Sequence, residues 1–363
     1  MDKIIKNVLT ELNKNGFEAY LVGGFVRDYL LGIKTYDIDI CTTALPKDIY
    51  NIFNICANNY GGAKLIIENY NIDITTFRKD AKYSNRHPLE VKYVTDLKED
   101  LKRRDFTINT ICMDKDENII DLLNGIEDLN NRTIKMIGDN EQRLEEDPLR
   151  ILRAIRFATV LNFEIDEKLI RAIKKKKELV KTLSKERVKN ELSKILMSTN
   201  YKKGLELFKK LEIDKELEIE YKETTYTKDL IGMWAQIKVK DIPFTNIEKS
   251  NIIDITEIVK GNSINNYTLY KYGLYVNLIA GMILNISSKK INQMYKKLPI
   301  KERKDIDIKG NEIINLLNIE GKRVNEIYED LTNKILNGSL KNKKGEIIKY
   351  LKKEWKICLK IIK

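Results

Sequence analysis

The first part of the chain mixes two hydrophobic patterns. Apolar and polar positions alternate, as in half-buried strands, at residues 71–77 (NIDITTF), 89–94 (LEVKYV) and 107–114 (TINTICMD). The opening segment and residues 46–53 (PKDIYNIF) instead repeat apolar positions at helical spacing. Up to about residue 130 the pattern therefore predicts a mixed helix and strand structure.

Beyond that point the strand-like alternation mostly disappears. Apolar residues recur at helical spacing in three segments: RLEEDPLRILRAIRFATVL, DEKLIRAIKKKKELV and ERVKNELSKILM. We find no internal repeat and no Pro/Gly-rich linker in this part of the sequence. The pattern of the whole chain therefore predicts an α+β fold, with a mixed helix and strand head followed by an all-helical remainder.

The charge balance favours a polyanionic partner. The 363 residues include 66 Lys and Arg against 54 Asp and Glu, a formal net charge of +12, which is typical of, though not unique to, proteins that bind nucleic acid. The most apolar run, residues 274–286, is shorter than the ~20 residues of a membrane-spanning helix. The first residues form a charged amphipathic helix and not a signal peptide. We expect a soluble, cytoplasmic protein without a membrane segment.

Residue usage excludes several kinds of catalytic site. His87 is the single histidine, which argues against His-rich zinc sites, Ser-His-Asp triads and histidine general bases. The four cysteines are scattered, and Cys41 and Cys112 lie in apolar runs, where we expect buried core thiols. Chemistry must then come from carboxylates, arginines and a bound metal.

Residues 37–40 (DIDI) place two carboxylates on one face of a predicted strand. Asp37 and Asp39 project from the same face about 7 Å apart, while the isoleucines face the core. Asp73, in NIDITTF, repeats this alternation on another predicted strand. Such carboxylates suit Mg²⁺, which takes one or two of them together with substrate phosphates. An ordinary half-exposed strand is the alternative, and for Asp73 the two interpretations are evenly supported.

A Gly-Gly pair separates a predicted strand from a short helix. Gly23 and Gly24 follow AYLV and precede FVRDYLLG, so that their backbone N–H groups can approach a phosphate at the helix N-terminus. Arg27, one turn into the helix, can reach the same anion. The spacing matches neither G-x-G-x-x-G nor a Walker A loop. Alone the pair is only a turn, but with the downstream aspartates it predicts a triphosphate site beside a metal.

The segment DPLRILRAIRFA (147–158) predicts a helix with arginines on one side. Arg150, Arg153 and Arg156 lie opposite its apolar face, although only 14 of the 66 basic residues of the chain are arginines. This choice favours recognition of phosphate or base by the planar guanidinium over a solvated helix face. Asp147, followed by Pro148, is also a good helix N-cap.

Asp147 and Arg150 together can read a base. Cytosine and adenine present an amine donor beside a ring-nitrogen acceptor, and uracil and guanine present the reverse. An aspartate that accepts and an arginine that donates fit the first two bases only, so this pair can select them without a template strand. In LKRRDFTIN, Arg104 can hold phosphate and Asp105 can accept from a ribose hydroxyl, although basic pairs beside an acid are also common on surfaces.

Four segments taken together carry a family resemblance. They are LVGGFVRDYLLG…YDIDI, RRDFTIN, EEDPLRILRAIRFA and SKERVKNEL, within about residues 20–195. The chain resembles the class II tRNA nucleotidyltransferases, that is, bacterial-type CCA-adding enzymes and their poly(A) polymerase relatives. The resemblance implies a polymerase-β-like nucleotidyltransferase head (1–133), a helical neck that selects the base (134–200), and helical body and tail domains that bind the acceptor stem and elbow of tRNA (201–363).

The resemblance also implies individual roles. Asp37 and Asp39 match the Mg²⁺ ligands and catalytic acids, and Asp73 stands at the third acid. The implied nucleotide contacts are Gly23, Gly24, Arg27, Arg104, Asp105 at the ribose, the base-reading Asp147 and Arg150, Arg153 and Arg156. The family motif that braces the neck corresponds to Glu186, Arg187 and Glu191. The flexible loop that the family needs for the switch to adenosine corresponds to the segment with Tyr83, Arg86 and Pro88.

The expected activity is template-independent addition of CCA to the tRNA 3′ end from CTP and ATP. The 3′ hydroxyl would attack the nucleotide α-phosphate in a two-metal displacement that releases pyrophosphate. CC-only or A-only addition stays open, as do a poly(A) polymerase and an RNA-binding protein on an inactive scaffold. The intact Asp37 and Asp39 argue against the last, and the modest C-terminal region argues against a poly(A) polymerase. No protein partner is implied.

Overall fold

The structure is a computed structural model that describes residues 1–56, 58, 61–84, 87–319 and 321–355, with the backbone alone at 80–84 and 87–91. It contains two compact units. The first comprises Met1–Ile219 and Val239–Pro243, and the second comprises Glu220–Lys238 and the chain from Phe244 onwards. The predicted boundaries near residues 133 and 200 are a finer division and stay a prediction.

Among the described residues, the first part of unit 1 contains eight strands: β1 (Ala19–Val22), β2 (Asp37–Thr42), β3 (Gly62–Ile67), β4 (Tyr70–Thr76), β5 (Arg78–Ser84), β6 (His87–Tyr93), β7 (Cys112–Met113) and β8 (Ile119–Ile120). Six of them form one sheet in the order β3-β4-β2-β1-β7-β8, and β5 and β6 form a separate antiparallel hairpin. Only β2 and β4 pair in parallel within the large sheet. The strands predicted at 71–77 and 89–94 are confirmed as β4 and β6.

Alternation explains why β2 and β4 take this register. Ile38, Ile40, Ile72 and Ile74 are at most 1% exposed, while the intervening acids point to the opposite face. A shift of one residue would turn every isoleucine outward and bury the carboxylates, so the hydrophobic pattern specifies the pairing. In this register Asp39 lies beside Asp73.

Residues 107–114 differ from the predicted strand. Thr107–Asn109 form a 3₁₀ turn, and strand pairing begins only at Cys112–Met113. Thr107 Oγ1 donates to Asp128 Oδ2 at 2.6 Å, and Thr110 Oγ1 donates to the carbonyl oxygen of Thr107 at 2.7 Å. Such local side-chain bonds offer the backbone an alternative to a strand ladder, and the strand is therefore shorter than its sequence pattern.

The helices of the first part of unit 1 are α1 (Lys3–Lys14), α2 (Gly24–Leu30), α3 (Pro46–Phe53), α4 (Leu97–Lys102) and α5 (Gly125–Asn130). The helices predicted for the opening segment and for residues 46–53 are confirmed as α1 and α3.

The remainder of unit 1 contains β9 (Thr133–Ile134), α6 (Asn140–Glu146), α7 (Leu149–Val160), β10 (Glu164–Ile165), α8 (Glu167–Lys176), α9 (Lys185–Leu196), α10 (Tyr201–Lys210) and α11 (Ile213–Glu216). Apart from the two-residue strands β9 and β10, this part is helical, as expected.

Unit 2 is predominantly helical. Its elements are β11 (Glu220–Tyr221), α12 (Leu230–Trp234), β12 (Ile237–Lys238), α13 (Asn246–Gly261), α14 (Asn266–Ile283), α15 (Ser288–Lys296), α16 (Gly310–Leu317), α17 (Val324–Leu336) and α18 (Lys344–Tyr350). They enclose two apolar clusters, one containing Leu331 and one containing Ile255, both 0% exposed. Among the helices that the structure describes, none has the length and hydropathy needed to cross a membrane.

Candidate active site

The turn between β1 and α2 is shaped around one carboxylate. Gly23 has φ +74°, a conformation that favours glycine. A Cβ atom at this position would lie 2.8 Å from Asp39 Oδ2, since Asp39 pairs with Val22 at the end of β1. The backbone N–H of Gly24 donates to the same carboxylate. The Gly-Gly pair therefore leaves room for the Asp39 side chain and hydrogen-bonds it.

Replacing Gly23 with alanine should misplace this carboxylate. The strained φ is expected to cost about 1–3 kcal/mol of unfolding free energy, and a displacement of Asp39 approaching 1 Å is expected to lower kcat about a hundredfold. Gly24→Ala is the matched control, since its Cβ would meet only Arg27 Nη2, at 3.6 Å. Thermal unfolding and steady-state nucleotide incorporation measure both effects. Equal kcat values in the two variants would contradict the role given to this turn.

The three predicted metal acids have different surroundings. Asp37 is exposed and Asp39 is half-buried on the same face of β2, and both line one cavity. Asp73 is not among the lining residues of that cavity; its carboxylate is 3.7 Å from Lys64 Nζ. Burial raises the pKa of Asp39, Arg104 opposes the rise, and the charges of Asp73 and Asp37 add to it.

The donor set fits a hard divalent cation. Burial of Asp39 beside two further carboxylates disfavours its charged form, and a bound cation would reverse that effect. Over the part of the chain that the structure describes, no group of three or more His, Cys, Asp or Glu is placed to hold a metal. The chain would thus supply Asp37 and Asp39 to a divalent cation, and substrate phosphate oxygens and water would supply the remaining ligands.

The cavity beside these carboxylates, called here the first cavity, has a volume of about 460 Å³. Eleven of the predicted site residues line it: Gly23, Gly24, Arg27, Asp37, Asp39, Arg104, Asp105, Asp147, Arg150, Arg153 and Arg156. It is therefore lined by five arginines and five aspartates, of which Asp37 and Asp39 are the predicted metal acids. That combination matches a nucleoside triphosphate, whose phosphates need cations and whose metal needs carboxylates.

Arg27 is held by two side chains that the sequence did not single out. Its Nε and Nη2 donate to Asp28 Oδ1 at 2.8 and 2.7 Å, and its Nη1 donates to Asn109 Oδ1 at 2.7 Å. Asn109 Nδ2 in turn donates to Asp105 Oδ1 at 3.0 Å. Asn109 therefore joins the arginine of α2 to the acid that was predicted to contact the ribose.

Asp105 is paired with an arginine of α7. Arg153 donates through Nε to Asp105 Oδ2 at 2.7 Å and through Nη2 to the same oxygen, and the Phe106 N–H donates to Oδ1 at 2.8 Å. Burial alone would raise the pKa of Asp105. The charge of Arg153 and the hydrogen bonds from Asn109, Arg153 and the Phe106 N–H outweigh burial and lower the pKa to about 2.

The low pKa of Asp105 implies a pH-dependent contribution to stability. Because the folded pKa is depressed from 3.8 to about 2, the contribution is present above pH 4 and is lost as the pH falls towards 2; it amounts to about 2 kcal/mol. The difference in unfolding free energy between wild type and Asp105→Asn should therefore be about 2 kcal/mol larger at pH 5 than at pH 2, in favour of wild type. Urea unfolding monitored by circular dichroism across this range measures the gap. A gap independent of pH would contradict the ion pair.

The predicted base-reading pair lies at the N-terminus of α7. Asp147 Oδ1 accepts from the Leu149 N–H at 3.2 Å, as an N-cap does. Arg150 is only 5% exposed, and its Nη1 donates to the Arg143 carbonyl at 2.6 Å and to Glu146 Oε2 at 3.3 Å. Helices α6 and α7 thus fix both side chains at the wall of the first cavity.

The arginine side of α7 is not a solvated face. Arg153 and Arg156 are partly buried and line the first cavity together with Arg150. Arg156 Nε donates to Glu191 Oε2, on α9, at 2.6 Å. Glu191, 5% exposed, lies in the motif predicted to brace the neck, and here it restrains a cavity-lining arginine.

Asp100 is a buried acid that was not among the predicted site residues. Its carboxylate is 0% exposed and accepts from Arg103 Nη2 at 2.8 Å, from Arg104 Nη2 at 3.2 Å and from the Arg78 N–H at 3.1 Å. The signal was present in the sequence, since residues three and four positions apart on a helix face one another. Four lining residues of the first cavity were also missed: Asp28, Thr35, Asn109 and Phe157.

The predicted flexible loop falls on the hairpin. Tyr83 and Pro88 are register partners of β5 and β6, and Arg86 lies outside the described residues. The roles predicted for these three residues stay predictions. The side chains of Cys41 and Cys112 are buried free thiols, as expected.

Comparison with known proteins identifies related families along the chain. A family model for the poly(A) polymerase head domain matches residues 19–135, one for an RNA- and SrmB-binding site of polymerase A matches 162–218, and one for tRNA nucleotidyltransferase domain 2 matches 235–351. The CCA-adding enzyme of Ligilactobacillus salivarius is 34% identical over 343 residues, covering 85% of this chain and 85% of its own. That of Staphylococcus haemolyticus is 32% identical over 396 residues, covering 97% and 98%.

Solved structures extend the comparison to the fold. The Bacillus stearothermophilus CCA-adding enzyme in complex with CTP aligns with a TM-score of 0.83 and 25% identity, over 99% of this chain and 100% of that chain. This confirms the polymerase-β-like nucleotidyltransferase head and the helical domains that follow it. Given a relative that is 34% identical and covers 85% of it, the chain belongs to the family of CCA-adding enzymes.

Proposed function

We propose that this chain adds CCA to the 3′ end of tRNA, from CTP and ATP and without a nucleic-acid template. One observation carries the proposal: the first cavity combines the carboxylates of Asp37 and Asp39, five arginines and the Asp147–Arg150 pair. A metal, a triphosphate and a base with an amine donor each have a matching group there. The homologues named CCA-adding enzymes support the same activity.

Nucleotidyltransferases of this family use a divalent metal, and we propose Mg²⁺ held by Asp37 and Asp39. Bound there, Mg²⁺ would supply Lewis-acid activation of the 3′ hydroxyl and neutralise charge on the phosphates. Arg27 and Arg104 bind the triphosphate, and Asp105 faces the ribose. These groups orient the α-phosphate for in-line attack by the hydroxyl and departure of pyrophosphate.

The tRNA end enters from the other side of Asp39. A second cavity of about 610 Å³ shares Asp39 and Arg104 with the first, and its other charged lining residues are Asp73, Lys64, Arg78 and Arg103. In-line attack requires the hydroxyl and the leaving pyrophosphate on opposite sides of the α-phosphate, so two cavities that meet at a catalytic acid suit this reaction. The three cations would contact phosphates of the acceptor end.

The remaining assignments follow the family. Residues 134–200 act as the neck and residues 201–363 as the body and tail that hold the acceptor stem and elbow of tRNA, largely by shape and charge. Tyr83, Arg86 and Pro88 belong to the loop that allows the switch to adenosine. We place the reaction in the cytoplasm, where tRNA and nucleotides occur.

Three tRNA substrates test the activity. They end before C74, before C75 and before A76, and each is offered CTP, ATP or both. We expect addition of CC from CTP alone, addition of A only after both cytidines, and termination at A76. Products are resolved at single-nucleotide length on denaturing gels.

Each other outcome identifies a different enzyme. Addition that stops at C75 with both nucleotides present would indicate a CC-adding enzyme, and extension only of the last substrate would indicate an A-adding enzyme. Extension beyond A76 with ATP alone would indicate a poly(A) polymerase. If no substrate shows metal-dependent incorporation, the result would indicate an RNA-binding protein on an inactive scaffold.

A further inference from the structure

Three arginines surround one aromatic ring at the first cavity. The guanidinium carbons of Arg27, Arg153 and Arg156 lie 5.0, 5.3 and 3.9 Å from the centroid of the Phe157 ring. All three distances fall within the ~6 Å range in which a cation interacts with an aromatic face. Phe157 itself lines the cavity but is only 6% exposed.

The arrangement brings like charges together, which carries an electrostatic cost. Each arginine has its own acid: Asp28 for Arg27, Asp105 for Arg153 and Glu191 for Arg156. Burial lowers the pKa of Arg156, Glu191 opposes the change, and Arg153 adds to the lowering, as expected for crowded cations. The acids come from three separate parts of the chain, whereas the Phe157 ring lies within cation–π distance of all three guanidinium groups.

The Phe157 ring is held in a fixed position. It packs edge-on against Phe106, with centroids 5.6 Å apart and an interplanar angle of 80°. Phe106 is 0% exposed and directly follows Asp105, the acid that pairs with Arg153. The ring position is therefore tied to the 3₁₀ segment as well as to α7, and a fixed ring restrains the guanidinium groups that contact it.

We propose that Phe157 is a positioning residue for triphosphate binding: its ring holds the guanidinium groups of Arg27, Arg153 and Arg156 facing the first cavity before nucleotide enters. The proposal rests on the proposed function for the identity of the ligand. Held in advance, the three arginines lose less freedom on binding, and preorganisation of this kind raises affinity. Because the ring acts on the phosphate-binding arginines, its effect should be the same for CTP and ATP.

Fluorination of the ring tests the electrostatic part of this role. Incorporation of mono-, di- and trifluorophenylalanine at position 157 weakens the negative face of the ring stepwise with little change in size. We expect KM for CTP and ATP to rise stepwise and in parallel, to about tenfold for the trifluoro protein, with kcat nearly unchanged and no matching stepwise fall in Tm. A ring that only fills space would leave KM constant across the series.

Substitutions with standard amino acids provide the matched comparison. Phe157→Leu removes the ring and should raise the KM values for CTP and ATP at least as much as trifluorination does. Phe157→Tyr keeps an aromatic ring and should leave both KM values near those of wild type. Phe208→Leu removes a fully buried ring of α10 in the same unit and serves as the packing control. A KM change in the Phe208 variant as large as that in the Phe157 variant would overturn the proposal.

Binding of inorganic tripolyphosphate separates this inference from the proposed function, since tripolyphosphate has neither base nor ribose. Calorimetry should show weaker tripolyphosphate binding across the same fluorinated series. That result without any tRNA extension would uphold the inference and reject CCA addition. Normal CCA addition with KM and tripolyphosphate affinity independent of fluorination would reject the inference alone. A KM change confined to one nucleotide would indicate base stacking and would also reject it.

Discussion

Replacing either Asp37 or Asp39 with asparagine should lower the rate of nucleotide addition by at least about a thousandfold. Each substitution removes one negative charge from the pair that would hold the metal, and a bound metal contributes several kcal/mol to the stabilisation of a phosphoryl transition state. Asparagine keeps the size of the side chain and its carbonyl oxygen, so β2 and its buried isoleucines should stay in place. Single-turnover incorporation of labelled CTP into tRNA measures the loss.

Asp73→Asn is the informative comparison for this experiment. Asp73 is the register partner of Asp39 but is 3.7 Å from Lys64 Nζ and outside the first cavity. A loss matching that of Asp39→Asn would make Asp73 the third metal acid of the predicted set. A loss below about tenfold would make it a strand acid paired with Lys64. Near wild-type rates in the Asp37 or Asp39 variant, with unchanged thermal unfolding, would refute the metal assignment.

The double variant Asp147→Asn, Arg150→Gln should lose selection for C and A over U and G by at least about a hundredfold. In the proposed base recognition, Asp147 accepts from the exocyclic amine and Arg150 donates to the ring nitrogen. In the variant, the asparagine amide can donate where Asp147 accepts, and the glutamine carbonyl can accept where Arg150 donates. Uracil and guanine then no longer leave buried groups unpaired. Competition between CTP and UTP, and between ATP and GTP, measures the ratio of kcat/KM values.

Two single variants control for loss of structure in this pair. Asp147→Asn keeps an oxygen for the Leu149 N–H, and the capping bond at 3.2 Å can persist. Arg150→Lys keeps a donor that can still reach the Arg143 carbonyl, although without the planar fork. Unchanged selectivity in the double variant, at activity comparable to wild type, would exclude this pair as the base reader.

Local sequence rules predicted the individual elements well. The alternation around Asp39 and Asp73 specified strands with isoleucines inward, because a one-residue slip would bury charge. The Gly-Gly pair predicted a turn, and Gly23 indeed has the positive φ that favours glycine. The prediction failed at Thr107–Asn109, where side-chain hydrogen bonds replace part of the expected strand.

The acids that restrain the arginines were harder to predict. Asp100 precedes Arg103 and Arg104 at helical spacing, so periodicity alone could have identified that cluster. Periodicity could not identify the amide Asn109 or the acid Glu191, since each meets an arginine from a distant part of the chain. Glu191 was identified only through the family motif that braces the neck. Their importance depends on how separate elements pack.

By itself the sequence determined the residue types, the strands and helices that carry them and, through four motifs, the family. These properties depend on local periodicity, turn chemistry and spacing, which act over a few residues. Only the tertiary structure decided that the arginines of α2 and α7 meet around Phe157, that Asp105 is held by Arg153, and that Asp73 lies beside Asp39 but outside the first cavity. The pairs Arg27–Phe157, Asp105–Arg153 and Asp39–Asp73 are each tens of positions apart in the chain. Their geometry follows from the packing of the core, which no short stretch of sequence encodes.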